Sequence, residues 1–163
     1  MPPEALIAFL NKYFEEILAV IEKSGGKSLR HVGDAVIVAW PCAYTDASKT
    51  KVGEGLVRLL ETIRAQSLPF GIRLRPQIGV AHGRVIMADL NTRGRQVNLE
   101  LGPAVNFASR LNAGIRSHKA EILFSGDLPV IWPKRVEVKF VEQIIVAGDH
   151  QPHQLFTLSF GLQ

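Results

Sequence analysis

Helical and strand periodicities alternate from one end of this chain to the other with no linker between them, which confines it to a layered fold of helices on sheet. Leu6, Leu10, Phe14, Ile17 and Ile21 recur every three or four residues and predict an amphipathic helix over 4–23. Pro2 and Pro3 suit its first turn, and Gly25-Gly26 its end. The β-rich run from Ala35 to Trp40 follows Gly33-Asp34, which predicts a hairpin over Ser28–Trp40 with one carboxylate at its tip. A second helix is predicted over 46–66, with Val52, Leu56, Leu59, Leu60 and Ile63 on one face, broken by Pro69 and Gly71. Strands follow at 72–81 and 84–90, joined at His82-Gly83, then a polar loop from Asn91 to Arg95 and a short strand over 96–101. A third helix opens at Gly102-Pro103 and runs to Asn112-Ala113-Gly114. Residues 121–125 predict a brief strand, and 135–147 with 153–159 a terminal hairpin turning at Gly148-Asp149. Neither repeats nor low-complexity segments interrupt the pattern. The expected architecture is one α+β domain over 1–163, built of largely antiparallel strands with helices packed on one face.

Composition narrows the function. At 163 residues the chain can bury one full core, and its 47% hydrophobic and 21% charged residues are ordinary for a globular domain. The net charge of +4 is spread along the chain, without the basic stripe and interleaved aromatics of a nucleic-acid groove. No nucleic-acid partner is therefore expected. No apolar run approaches the ~20 residues of a membrane span, so no membrane contact is expected. Met1-Pro2-Pro3-Glu4 lacks the basic region of a signal peptide. Cys42 is the only cysteine, which points to a reducing, cytoplasmic setting for the chain, alone or as part of something larger.

Two short stretches carry chemistry. Gly33-Asp34 presents a carboxylate at a turn. Gly102-Pro103-Ala104-Val105-Asn106-Phe107-Ala108-Ser109-Arg110 starts a helix that projects an amide and a guanidinium four residues apart on one face. A metal-binding carboxylate, a polar amide and an arginine are parts that a phosphate-transferring site needs. Other candidates carry less. His82 ends an apolar strand and reads as structural, while His118, His150 and His153 are loop or tail residues without metal-ligand spacing. Cys42 has no paired His or Asp, and Gly79, Gly83 and Gly94 form no phosphate-loop pattern.

Several segments, taken in order, resemble one family. Asn11-Lys12-Tyr13-Phe14 lies in the first helix, and Gly25-Gly26 precedes a hairpin containing Val32-Gly33-Asp34-Ala35-Val36. Ile78-Gly79-Val80-Ala81-His82-Gly83 ends a strand, and Gly102-x-Ala104-Val105-Asn106-x-Ala108-x-Arg110-Leu111 is the most specific stretch. Over nearly the whole chain the pattern resembles the class III nucleotidyl cyclase catalytic domain of adenylyl and guanylyl cyclases. The resemblance implies the ferredoxin-like cyclase fold. It also implies a reaction in which the ribose 3′ oxygen attacks the α-phosphate of ATP, or second to it GTP, and pyrophosphate leaves. Two Mg²⁺ or Mn²⁺ ions are implied as cofactors, held in the family by two aspartates, of which Asp34 matches the second. Asn106 matches the group that orients the ribose and Arg110 the one that stabilises transition-state charge. The family's site lies between two domains, so a homodimer or a related cyclase domain is the implied partner.

The chain also departs from the pattern. The family's first strand, Asp-x-x-Gly-Phe-(Ser/Thr), carries the first metal aspartate and should precede the first helix, where this chain begins. Asp46, Asp89, Asp127 and Asp149 lie in the wrong contexts to replace it. The strand is expected upstream, in a longer protein, or from another chain. The two base-specificity positions hold Arg30 and Leu99. Arg30 can donate to a ring nitrogen as the adenylyl cyclases' lysine does; Leu99 cannot hydrogen-bond a base edge, and a one-residue shift would bring in Asn98 or Glu100. No lysine stands near the last turn, which reads Val146-Ala147-Gly148-Asp149-His150. Three expectations follow: an intact cyclase; a half-site donor of Asn106 and Arg110; or a cyclase-like regulatory and dimerisation module without turnover. With one carboxylate for two ions, the 163-residue chain alone is expected to be inactive.

Overall fold

The computed structural model describes residues 2–41, 45–67, 71, 73–92, 95–146 and 151–160, and for 89–90, 92 and 95–99 the backbone alone. Cys42, Pro69, Gly94, the Gly148-Asp149 turn and His150 fall outside the described residues. The chain divides into two compact units, Met1–Pro76 with Val130–Pro133, and Gln77–Pro129 with Lys134–Gln163.

In the first unit, α1 (Pro3–Lys23) starts on its two prolines and ends at Ser24, where Gly25 N–H donates to Glu22 O and Gly26 N–H to Ile21 O, both at 2.9 Å. The Ser24 hydroxyl donates to Ile21 O at 2.7 Å and accepts from Trp40 Nε1 at 2.9 Å, so the helix end is tied to the hairpin that follows. That hairpin is β1 (Lys27–Val32) paired antiparallel with β2 (Ala35–Ala39), with a bulge between Ser28 and Arg30. Helix α2 (Asp46–Ala65) is capped by Thr45, whose hydroxyl accepts from Ser48 N–H at 3.2 Å. Its buried side chains Leu56, Val57, Leu59, Leu60 and Ile63 include four of the five apolar positions predicted for one face. Ile17 and Ile21 are the buried residues of α1, which packs against α2.

The second unit holds β3 (Ile78–Val80), β4 (Ile86–Thr92), β5 (Arg95–Leu101), α3 (Pro103–Gly114), β6 (Ile122–Ser125), β7 (Val136–Ile145) and β8 (Pro152–Phe160). Four of these strands form a sheet in the order β3-β6-β8-β7, and β4 and β5 form a separate hairpin. Phe107, Leu111 and Ile115 from α3 and its extension bury against Leu123 and Leu155 of the sheet. The α+β class and the cyclase-type layering hold. The predicted strand 72–81 is confined to Ile78–Val80, because Pro76 cannot donate to a ladder and Arg73 makes only an isolated bridge to Ser67. His82-Gly83 does not join a strand pair: β3 runs parallel to β6, while β4 pairs with β5. Of the predicted polar loop, Asn91, Thr92 and Arg95 lie in strands, with Asn91 opposite Gln96 and Thr92 opposite Arg95, since ladder hydrogen bonds are made by backbone whatever the side chain.

Candidate functional site

Asp34 stands at the tip of a two-residue turn closed by the Val32–Ala35 pair. Gly33 adopts φ +62°, as the first central residue of a tight hairpin turn requires, and the carboxylate that follows it projects into solvent. On the adjacent helix, Phe9 stacks on Tyr13 at 5.8 Å between ring centroids, and Tyr13 meets Phe14 edge-on at 5.3 Å. Phe14 in turn packs edge-on against His31 of β1 at 5.0 Å. This aromatic row braces the hairpin against α1. Burial, and then the negative charge of Asp34, push the Tyr13 hydroxyl pKa above its ordinary 10.0. Arg30 is exposed on β1, opposite Ile37 and directly after the bulge.

In the second unit, Gly102 sets the start of α3. Its φ of +152° and a backbone so close that a Cβ would lie 2.3 Å from Arg84 O both demand glycine. Pro103 then occupies the first helical position, and Asn106 N–H donates to Gly102 O at 3.3 Å. Asn106 and Arg110 follow one turn apart, both exposed, alongside the buried stripe of Phe107 and Leu111. Among the described residues the Arg110 guanidinium has no ion-pair or hydrogen-bond partner. Leu99 lies on β5 opposite Ala88, and its side chain lies outside the described residues.

The five expected site residues therefore divide: Arg30 and Asp34 belong to the first unit, Leu99, Asn106 and Arg110 to the second. Among the described residues no three His, Cys, Asp or Glu side chains come together as a metal site. The carboxylate of Asp34 is a hard oxygen donor of the kind that Mg²⁺ and Mn²⁺ accept, and it is a single donor.

Beside Arg110 lies a groove of about 210 Å³ between α3 and β7, floored by Leu111, Leu123 and Leu155 and edged by Arg110, His118 and Glu142. His118 Nε2 lies 3.0 Å from Glu142 Oε1. From the sequence His118 reads as a loop residue, and nothing there singles out Glu142. A signal for the first was present: residues 110, 114 and 118 fall at successive helical turns. Glu142 depends on a bulge between Phe140 and Glu142 in β7, for which the sequence offers no cue.

A family model described as the adenylate and guanylate cyclase catalytic domain matches residues 1–159. The chain is 26% identical over 132 residues to adenylate cyclase 1 of Rhizobium meliloti (strain 1021), a match covering 76% of this chain and 19% of that protein. The adenylyl cyclase CyaB from P. aeruginosa superposes with a TM-score of 0.69 at 24% identity, covering 100% of this chain and 86% of that one. The guanylate cyclase domain of RhGC from Catenaria anguillulae, solved in complex with GTP, gives a TM-score of 0.73 at 19% identity, covering 98% and 86%. At these identities the superpositions speak for the fold. The chain spans only 6–27% of the first three curated relatives it matches.

Proposed function

The chain belongs to the adenylate and guanylate cyclase catalytic domain family, and we propose that the intact protein converts ATP, or second to it GTP, to a 3′,5′-cyclic nucleotide and pyrophosphate at a dimer interface. The observation that carries this is Arg110: an exposed guanidinium with no partner among the described residues, one helical turn beyond Asn106, on a helix fixed at its start by Gly102. In the proposed reaction the ribose 3′ oxygen attacks the α-phosphorus, the bond to the bridging oxygen of the β-phosphate breaks, and the 3′ proton is given up to solvent or a phosphate oxygen. Asn106 orients the ribose through its amide. Arg110 donates several hydrogen bonds to the phosphoryl oxygens as negative charge builds on them, and no carboxylate among the described residues holds it back.

Cyclase domains depend in general on divalent metal ions, which when bound neutralise charge on the triphosphate and polarise the nucleophile. Asp34 is the residue proposed to hold them here, and one carboxylate is not a complete set for two. Arg30 is the proposed base contact, donating to a purine ring nitrogen, with Leu99 at the second specificity position. A second copy or a related cyclase domain is the proposed partner. The β4–β5 hairpin supports it: Ile86, Met87 and Leu101 are each more than half exposed, and a two-stranded hairpin with apolar residues bared to water is marginal by itself. The cytoplasm, where the triphosphate is available, is the proposed setting; among the described residues no helix is long and apolar enough to cross a membrane. The lone carboxylate favours, as a second reading, a regulatory and dimerisation module without turnover.

Cyclic AMP and cyclic GMP formation decides between them, measured on the intact protein with Mn²⁺ and each triphosphate beside an Arg110→Ala control. Product that disappears in the control supports the cyclase and identifies its base. No product from either nucleotide, in a folded dimer, leaves the regulatory module.

A further inference from the structure

The helical path of α3 continues past Gly114. Ser117 Oγ donates to Gly114 O at 2.7 Å and His118 N–H to the same carbonyl at 3.4 Å. The extension closes with Lys119 at φ +52° and Ala120 N–H donating to Ile115 O at 3.2 Å. His118 is thereby held two turns beyond Arg110. Across the groove, Phe140 pairs with Phe156 and Glu142 with Leu155, so Val141 is an extra residue in β7. The bulge lets both Val141 and Glu142 serve the α3 side of the sheet: Val141 packs on the Phe107–Leu111 cluster, and Glu142 lines the groove.

One half-exposed carboxylate thus shares a groove with a guanidinium and an imidazole, and the structure commits it to the His118 imidazole at 3.0 Å. We infer that His118 is a positioning residue for Arg110: by holding Glu142, it keeps that carboxylate off the guanidinium and leaves Arg110 free for the triphosphate. Arginine takes carboxylates through two parallel hydrogen bonds, so Arg110 is the stronger competitor once the imidazole is gone. The inference rests on the role proposed for Arg110.

Its test uses the intact protein in four variants, reading cyclic nucleotide turnover and, independently, the Arg110 Nε–Hε resonance. His118→Ala should lower kcat by about two- to five-fold, the range in which an exposed ion pair competes, and shift the Arg110 resonance. His118→Ala with Glu142→Ala should restore both. His118→Gln keeps a donor toward Glu142 and should match the parent, and Glu142→Ala alone should not lower turnover. Equal losses in both single alanine variants without recovery in the double would make the pair a strut between α3 and β7 and overturn the inference. An unmoved Arg110 resonance in folded His118→Ala, judged by the dispersion of the rest of its spectrum, would overturn it too. If the parent itself forms no cyclic nucleotide, the proposed function falls, while the resonance still shows whether His118 restrains Glu142.

Discussion

Arg110 on α3 and Gly79 on β3 beneath that helix are constrained very differently. The Arg110 side chain is exposed and makes no described contact that stabilises the fold. Its replacement by alanine should leave the urea midpoint within the range of about 0.5 kcal/mol typical of surface changes. Turnover by the intact protein should nonetheless fall about 10²- to 10³-fold, as when one preorganised donor to developing charge is removed. Gly79 is the reverse case. It lies where α3 crosses β3, and a Cβ there would sit 2.2 Å from Ala108 O and 2.5 Å from Asn112 N. Those are backbone atoms of a helix and cannot turn aside. Gly79→Ala should therefore cost about 3 kcal/mol, seen as a lowered urea midpoint, and activity should fall only through the smaller folded fraction. A variant with full stability would mean that α3 is free to lift from the sheet.

At the scale of elements, the β1–β2 hairpin and α1 act together through Tyr13. Its folded pKa is raised, first by burial and then by Asp34. The folded state thus holds this proton more tightly than the unfolded chain does. The associated stability is full below the ordinary value of 10.0 and is lost as pH rises through the folded value. Asp34→Asn should lower the Tyr13 pKa without returning it to the ordinary value, because burial, the larger cause, stays. An NMR titration of the Tyr13 ring checks this; no change in the variant would mean that the carboxylate does not face the phenol. Elements of this kind were legible in the sequence. α1, the hairpin and α3 follow from local periodicity and from Pro and Gly punctuation at Pro2-Pro3, Gly25-Gly26, Gly33 and Gly102-Pro103. The pairing of Ile78–Val80 with Ile122–Phe124 was not, since a parallel pair is settled by residues more than forty positions apart. The candidate site divides in the same way. Asp34, Asn106 and Arg110 follow from motif and helical spacing, whereas Glu142 is placed by a bulge and His118 by the turn that follows α3 beyond its last glycine.

At the scale of the molecule, surface and charge set what the chain needs from a partner. The β4–β5 hairpin leaves Met87 68% and Ile86 56% exposed, side chains that a second cyclase domain is proposed to cover. Met87→Glu with Ile86→Lys should then shift the sedimentation of the intact protein from dimer to monomer with an unchanged circular dichroism spectrum. A dimer that persists would place the interface elsewhere. In the proposed reaction a partner domain is called for, because the two halves of the chemistry are unequally supplied. Asn106 and Arg110, the proposed amide and guanidinium, both stand on α3, whereas Asp34, the carboxylate proposed to hold divalent ions, would need further anionic ligands to hold two. The 163-residue chain alone should accordingly form no cyclic nucleotide with Mn²⁺. Mixed with a related cyclase domain that keeps both metal aspartates but has lost its own asparagine and arginine, it should restore product, and its Arg110→Ala variant should not. Product from the chain alone would show that a single carboxylate suffices. Silence of the mixture, with a complex demonstrated by sedimentation, would show that α3 does not complete a partner's site.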